Sequence, residues 1–417
     1  MTTTSWPETL ELTFDGIAQG GEAVGRFNER VVFAAGGLPG ERALVRLHEL
    51  RDSYARGSVA EVLSPSPERV APRMPGADHM PWQHIAYPAQ LRFKRQIVAE
   101  QLAKIGGITE APVAETLAPG PPWNYRNSAR LHGHGQQIGY YIANTRNLHA
   151  IDEDPLLLPV LNQALADLSA VAQATGAPTE IVLRASETHG YALAALRGAP
   201  DWAATRWRAR CPALAGVTLL ADSRVAATFG ASQLIEELGG VAFQLRPATF
   251  FQVSLPAASA LLDLARASLG LSGAERLLDL YCGAGAFTLP LAAQAREVVG
   301  IEEFGGAIED GRASAALNGI ANVHFLAGRV EAVLPRVEGP VDAVLLDPPR
   351  RGCHPQAIAY LLELAPARIV YISCQPATLA RDLKALVEGG YHVESVQPVD
   401  LFPQTAHIEC VTTLTRG

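Results

Sequence analysis

Arg276-Leu-Leu-Asp-Leu-Tyr-Cys-Gly-Ala-Gly-Ala-Phe-Thr288 is an apolar strand that runs into two closely spaced glycines, Gly283 and Gly285, and then into a helical pattern. In such a unit the glycines let backbone approach a ligand, and the helix N-terminus offers it unpaired amides. The third glycine of the dinucleotide fingerprint is missing, because Thr288 stands in its place. A nucleoside without a pyrophosphate is therefore favoured over a dinucleotide. The next apolar run, Val298-Val-Gly-Ile-Glu302, ends in a carboxylate where ribose hydroxyls are held in open α/β sheets. Strand and helix then alternate. Helices are expected from Ala286, Ala307 and Val330, near Ala357–Leu364 and over Thr378–Val387; strands are expected at Val323–Leu326, Val341–Leu346 and Arg368–Ile372. That rhythm implies a parallel sheet with helices on both faces. Two final strands, around Val393–Leu401 and His407–Leu414, are joined by a short loop at Pro403 and so form an antiparallel pair.

Chemistry-bearing residues gather at the C-terminal ends of these strands, the edge where open α/β sheets bind ligands. Asp347 is followed by Pro348 and Pro349, which project it rigidly, although a Pro-Pro pair also simply stops a strand. Cys374 ends the run Ala-Arg-Ile-Val-Tyr-Ile-Ser-Cys and precedes an amphipathic helix, a placement expected to favour thiolate over thiol. Glu409 lies on the closing strand pair and can reach the same pocket. A nucleophile with a separate base is what methylation of a carbon in an electron-poor ring requires. The Gly-x-Gly turn, Glu302 and the antiparallel pair together point to S-adenosylmethionine as the methyl donor. Cys353 shares the edge and stays open as a second nucleophile, whereas Cys211, Cys282 and Cys410 read as small buried hydrophobes. His407 is either an orienting residue or an ordinary polar one. A nitrogen methyltransferase using Asp347-Pro-Pro, and a non-catalytic RNA-binding protein, are the alternative readings.

Upstream of the sheet the character of the chain changes. Residues 8–62 alternate in short strands punctuated by glycine turns: Leu10–Phe14, Val31–Ala34, Ala43–Leu47 and Ala55–Val62. This is the pattern of a small barrel, ending at Ser64-Pro-Ser-Pro67. Gln90 to Gly106 has helical periodicity, with Leu91, Ile97, Val98, Leu102 and Ile105 on one face. From Trp123 to Leu245 strands such as Ile181–Arg184 and Tyr191–Leu196 mix with a helix around Leu156–Ala172.

The 417 residues, 48% hydrophobic and 18% charged, suffice for two or three domains. A net charge of -8 argues against a protein that coats nucleic acid and leaves room for an enzyme that grips one strand locally. Five cysteines scattered without metal-type spacing argue against a disulfide framework and fit a reducing compartment. With no signal-like N-terminus and no membrane-length apolar run, a cytoplasmic protein is expected.

Five segments, in order, resemble the RNA uracil-C5 methyltransferases that make 5-methyluridine. They are Phe250-Phe-Gln-Val253, Asp279-Leu-Tyr-Cys-Gly-Ala-Gly, Asp347-Pro-Pro-Arg-Arg-Gly, Ile372-Ser-Cys-Gln-Pro376 and Asp400-Leu-Phe-Pro-Gln-Thr-Ala-His-Ile-Glu409. The N-terminal barrel resembles the RNA-binding TRAM barrel of that family. The resemblance implies an α/β protein with three parts. They are a TRAM/OB-like barrel over residues 1–66, a mixed α+β central domain over 67–90 and 123–256, and a Rossmann-like class I methyltransferase domain over 91–122 and 257–417. It further implies Cys374 as nucleophile and Glu409 as base. Gln252, Tyr281, Gly283, Gly285, Glu302 and Asp347 would surround S-adenosylmethionine. The partner would be RNA, ribosomal rather than transfer RNA, with a monomeric enzyme and no membrane. Family members often hold an iron–sulfur cluster, but Ala77, Met80 and Asp154 stand where its cysteines would be, so no cluster or other metal is expected. Arg126 and Arg130 are candidate phosphate contacts.

Overall fold

The structure is a computed structural model that describes residues 6–142, 145–222 and 224–417. Residues 1–5 of the expected barrel segment lie outside the described residues. Strands β1 (Thr9–Ile17), β2 (Ala23–Phe27), β3 (Arg30–Ala35), β4 (Arg42–Leu50) and β5 (Tyr54–Ser64) close a barrel in the order β1-β2-β3-β5-β4. Period-2 alternation along β1 turns Leu10, Leu12 and Phe14 onto Val32, Ala34, Ala43 and Val45. Strand β2 was not anticipated, because its glycine-flanked five residues read as a turn. Asn28 and Glu29, at φ of 49° and 67°, make the two-residue connection that returns it as β3.

Helix α1 (Tyr87–Lys104) carries Pro88 in its first turn, where a missing N–H does no harm. Phe93, Ile97, Val98 and Leu102 pack into the core of the C-terminal sheet. The expected apolar face needs correction at its ends, since Ile105 is 40% exposed and Leu91 only half-buried. Two polar residues take their place inside. Lys94 Nζ lies 2.6 Å from Asp400 Oδ1 with both side chains fully buried, and Gln90 exchanges two hydrogen bonds of 2.9 Å with Gln404. These contacts hold the 400–408 loop onto α1. Lys94→Met leaves Asp400 buried and unpaired, so a loss of about 3–5 kcal/mol is expected. The midpoint of urea unfolding measures it.

The central region is one sheet built from β6 (Ser128–His134), β7 (Gln137–Tyr141), β8 (Leu148–Ala150), β9 (Glu180–Ala185), β10 (Ala192–Arg197), β11 (Leu214–Ala221) and β12 (Arg224–Gly230). Their spatial order is β12-β11-β10-β9-β6-β7-β8, antiparallel except between β10 and β11. Helices α2 (Pro159–Thr175) and α3 (Asp201–Arg210) pack against it through Leu161, Leu165, Ala204 and Trp207. The hairpin β13 (Leu234–Leu238) and β14 (Val241–Leu245) follows. Although it precedes residue 257, its Leu234, Leu238 and Phe243 share a core with the C-terminal sheet and α4 (Leu255–Leu269).

That last sheet contains β15 (Arg276–Leu280), β16 (Glu297–Glu302), β17 (Val323–Ala327), β18 (Ala343–Leu346), β19 (Arg368–Ser373), β20 (Tyr391–Val399) and β21 (Glu409–Arg416). Between them run α5 (Thr288–Leu291), α6 (Gly305–Leu317), α7 (Val330–Val333), α8 (Pro355–Leu364) and α9 (Pro376–Glu388). The order is β17-β16-β15-β18-β19-β21-β20, parallel through β19, with β21 antiparallel to both of its neighbours. The winding reverses between β15 and β18, and that switch point opens a crevice beyond the strand ends. Segment 113–117 runs beside β20 through bridges Val113–Val396 and Leu117–Val399, so the chain around α1 flanks this sheet. Among the described residues no helix is long and apolar enough to cross a membrane.

Candidate active site

A cavity of about 810 Å³ fills the crevice at the switch point. Tyr281, Gly283, Glu302, Asp347, Cys374 and Glu409 all line it, as does Gln252. Gly285 does not reach the cavity wall.

The turn after β15 is forced by its hydrogen bonds. The amides of Tyr281 and Cys282 both donate to Ile301 O, at 2.9 and 3.1 Å, and Tyr281 is held at φ 66°. A bulky residue rarely adopts that conformation, so the surroundings must hold it there. Gly283 follows at φ 56° with open space where a Cβ would be, so its glycine serves the backbone angle. At Gly285 a Cβ would sit 3.0 Å from Phe325, which makes that glycine a packing requirement. The amides expected to face a ligand are engaged within the protein. Gly283 N donates to Glu302 Oε2 at 3.1 Å and Gly285 N to Cys282 O at 2.9 Å. Glu302 also accepts from Phe304 N at 2.6 Å, so two backbone amides orient its carboxylate toward the cavity.

Three carboxylates share this corner. Asp279 is buried and accepts the Thr288 hydroxyl at 2.5 Å on one oxygen, while its other oxygen has no partner. Burial pushes Asp279 up to about 7 against that hydrogen bond, and the charge of Glu302 adds to the rise. Asp347, at the end of β18, is also pushed up to about 7, by burial and then by Asp279 and Glu302. Carboxylates crowded in this way suit a ligand that brings hydroxyl donors and positive charge.

The catalytic candidates meet through sheet register. Ser373 of β19 pairs with Cys410 of β21, so the next position outward sets Cys374 against Glu409. Cross-strand neighbours lie about 5 Å apart at Cα and present their side chains to one face. The two residues therefore arrive together although 35 positions separate them in the chain. Glu409 is 5% exposed, and burial followed by the charge of Asp347 raises its carboxyl well above the ordinary range.

The expected preference of Cys374 for thiolate is corrected by the same geometry. Burial, then Glu409, then Asp347 push the thiol up to about 11, with Arg350 opposing them. The N-terminus of α9 is outweighed by two carboxylates inside a poorly solvated pocket. Alkylation of Cys374 by iodoacetamide in the free protein is therefore expected to keep accelerating past about pH 9. Peptide mass spectrometry resolves it from the four buried cysteines. A rate already level at neutral pH contradicts this environment.

Two further residues complete the rim. Arg350 Nη2 lies 3.2 Å from His407 Nε2, and His407 packs edge-on against Phe402. Burial and the charges of Arg350, Lys94 and Arg126 press His407 down to about 4, which keeps its ring neutral. Phe250 is 68% exposed at the cavity mouth while Phe251 is buried.

Comparison with known proteins follows this layout. Residues 337–417 match the model of the tRNA (uracil-5-)-methyltransferase family, residues 8–60 the TRAM domain, and residues 277–366 a methyltransferase domain. An uncharacterised RNA methyltransferase of Nostoc sp. (strain PCC 7120) is 39% identical over 99% of this chain and 98% of its own. The chain belongs to the RNA uracil-5-methyltransferase family. A second member, an uncharacterised RNA methyltransferase of Halalkalibacterium halodurans, is 30% identical over 98% of this chain and 97% of its own. The fold is shared with the crystal structure of Pyrococcus abyssi tRNA (uracil-54, C5)-methyltransferase in complex with S-adenosyl-L-homocysteine. The TM-score is 0.78 at 24% identity, covering 97% of this chain and all of that one.

Within this family member Cys353 is removed as a second nucleophile. It is 3% exposed, lies 3.6 Å from the Tyr371 hydroxyl, and burial raises its thiol to about 12. Arg130 is paired with Glu180 at 2.8 Å, while Arg126 Nε is buried with no hydrogen-bond partner. Sequence reading missed Arg350 as a site residue. Its position directly after Asp347-Pro-Pro was the available signal.

Proposed function

We propose that this protein uses S-adenosylmethionine to methylate C5 of uridine in RNA. The observation that carries the reading is that Cys374 and Glu409, each one residue beyond the Ser373–Cys410 pair, line one cavity together with the carboxylates Asp279, Glu302 and Asp347. When bound, S-adenosylmethionine supplies an electrophilic methyl group on a cationic sulfur. Glu302 would take its ribose hydroxyls, Asp279 and Asp347 would face its polar and cationic groups, and Gln252, Tyr281 and Gly283 would complete the wall. Gly285 would act only by shaping the turn.

Uracil C5 is a poor carbon nucleophile. Addition of the Cys374 thiolate to C6 turns the ring into an enolate, and C5 then takes the methyl group. Glu409 removes the C5 proton, the C5–C6 double bond re-forms, and the sulfur leaves as thiolate. Its high proton affinity makes Glu409, once ionised, a strong base for that step. The recessed position of both residues requires an unstacked uridine, from a loop or flipped out.

The positions of the family's cluster ligands do not suit one here. Met80 is fully buried beside Ala77, Tyr125 and Leu156. Asp154 is spent on the Tyr140 hydroxyl at 2.8 Å, the amide of Leu156 and His79. We read the region as an apolar and hydrogen-bonded replacement. RNA contact is assigned to the barrel and the central sheet.

Ribosomal RNA is the first target to test. Transfer RNA is the second reading, because a chain that superimposes along its whole length is named as a tRNA enzyme. Purified protein is given each RNA class with methyl donor, and nucleosides are analysed by mass spectrometry. The expected product is 5-methyluridine. Methylated purines, or no product from either class, overturn the reading.

A further inference from the structure

The turn between β1 and β2, residues 18–22, leaves the barrel and enters the catalytic domain. Ile17 and Leu38, at its base, belong to the same buried cluster as Trp82, Ile85 and Ile408, not to the barrel's own core. The turn is closed by hydrogen bonds of 2.8 Å from Gly21 N to Ala18 O and from Ala18 N to Glu22 O. Trp82 Nε1 donates to Gly21 O at 3.0 Å. Gly21 is at φ 86°, and a Cβ there would come within 2.6 Å of Ala406 Cβ, on the loop that leads into Glu409. The tip also reaches the residue that follows Cys374. Gln19 Nε2 donates to Gln375 Oε1 at 2.7 Å, and Gln375 directly follows Cys374. The backbone of Gln375 is already fixed by Ser373 Oγ and by Leu379 N. Among the described residues, its side chain is held by Gln19 alone.

We propose that Gln19 is a positioning residue for Cys374, and that the barrel turn buttresses the catalytic centre from behind the cavity as well as forming part of an RNA-binding module. The kinetic consequence rests on the uridine methylation proposed above. A nucleophile must meet C6 within a few tenths of an ångström, and loosening its strand end is expected to lower kcat about tenfold without changing the KM for RNA. A barrel that served only to grip RNA would show the opposite split.

The test compares Gln19→Ala, Gln375→Ala and the double variant, each with intact barrel and full chain. Expected results are a kcat near one-tenth of normal in each single variant, no further loss in the double variant, and unchanged melting temperature. Iodoacetamide alkylation of Cys374 should also change at least about threefold in Gln19→Ala, and this readout needs neither RNA nor cofactor. A raised KM at unaltered kcat, additive losses in the double variant, or an unchanged alkylation rate overturns the proposal. If the unmodified protein does not methylate uridine, the functional reading fails, and the alkylation rate alone decides the role of Gln19.

Discussion

Cys374→Ala is expected to lose uridine methylation by about a thousandfold or more, because without an attacking sulfur no other group in the cavity can activate C5. S-adenosylhomocysteine binding should persist, since Glu302, Asp279 and the Gly283 turn lie on β15 and β16, away from β19. Isothermal titration and a methyl-transfer assay on one preparation separate the two effects. Substantial activity in this variant removes Cys374 from the mechanism. Cys353 cannot substitute, buried as it is against Tyr371.

The second large effect is at Glu409. Glu409→Gln keeps the shape of the side chain and removes its ability to take a proton. Thiolate addition and methyl transfer should proceed, and the reaction should stop at the C5-methylated adduct with sulfur still on C6. Turnover is expected to fall about 10²- to 10⁴-fold while a protein–RNA species survives denaturing electrophoresis. Absence of that species in a variant that folds and binds RNA counts against Glu409 as the base.

Much of this site was legible in the chain. The alternation after residue 276, the Gly283 turn, Asp347 before two prolines and Cys374 at a strand end follow from local pattern. So does the final antiparallel pair. What local pattern could not show was mutual environment. A helix N-terminus beside Cys374 argues for an acidic thiol, yet burial, followed by the charges of Glu409 and Asp347, reverses the sign. The burial of Lys94 and Gln90 has no local signal, because their partners, Asp400 and Gln404, lie about 300 residues on. The free amides assigned to Gly283 and Gly285 were lost for the same reason, since Glu302 and a tight turn had taken them. Strand β2 was obscured by its glycines, and only its pairing with β1 and β3 makes it a strand.

The placing of β21 between β19 and β20 has a consequence for how the enzyme comes into being. A ribosome delivers β19 and β20 first, and the strand that joins them later. In the sheet, a chain without β21 would be left with a gap one strand wide between β19 and β20. Glu409 is the first residue of the strand that fills this gap. Such a chain would keep Cys374 but lack Glu409, the residue proposed to act as the base. On the proposed mechanism, the strand that completes the sheet is also the one that completes the catalytic pair.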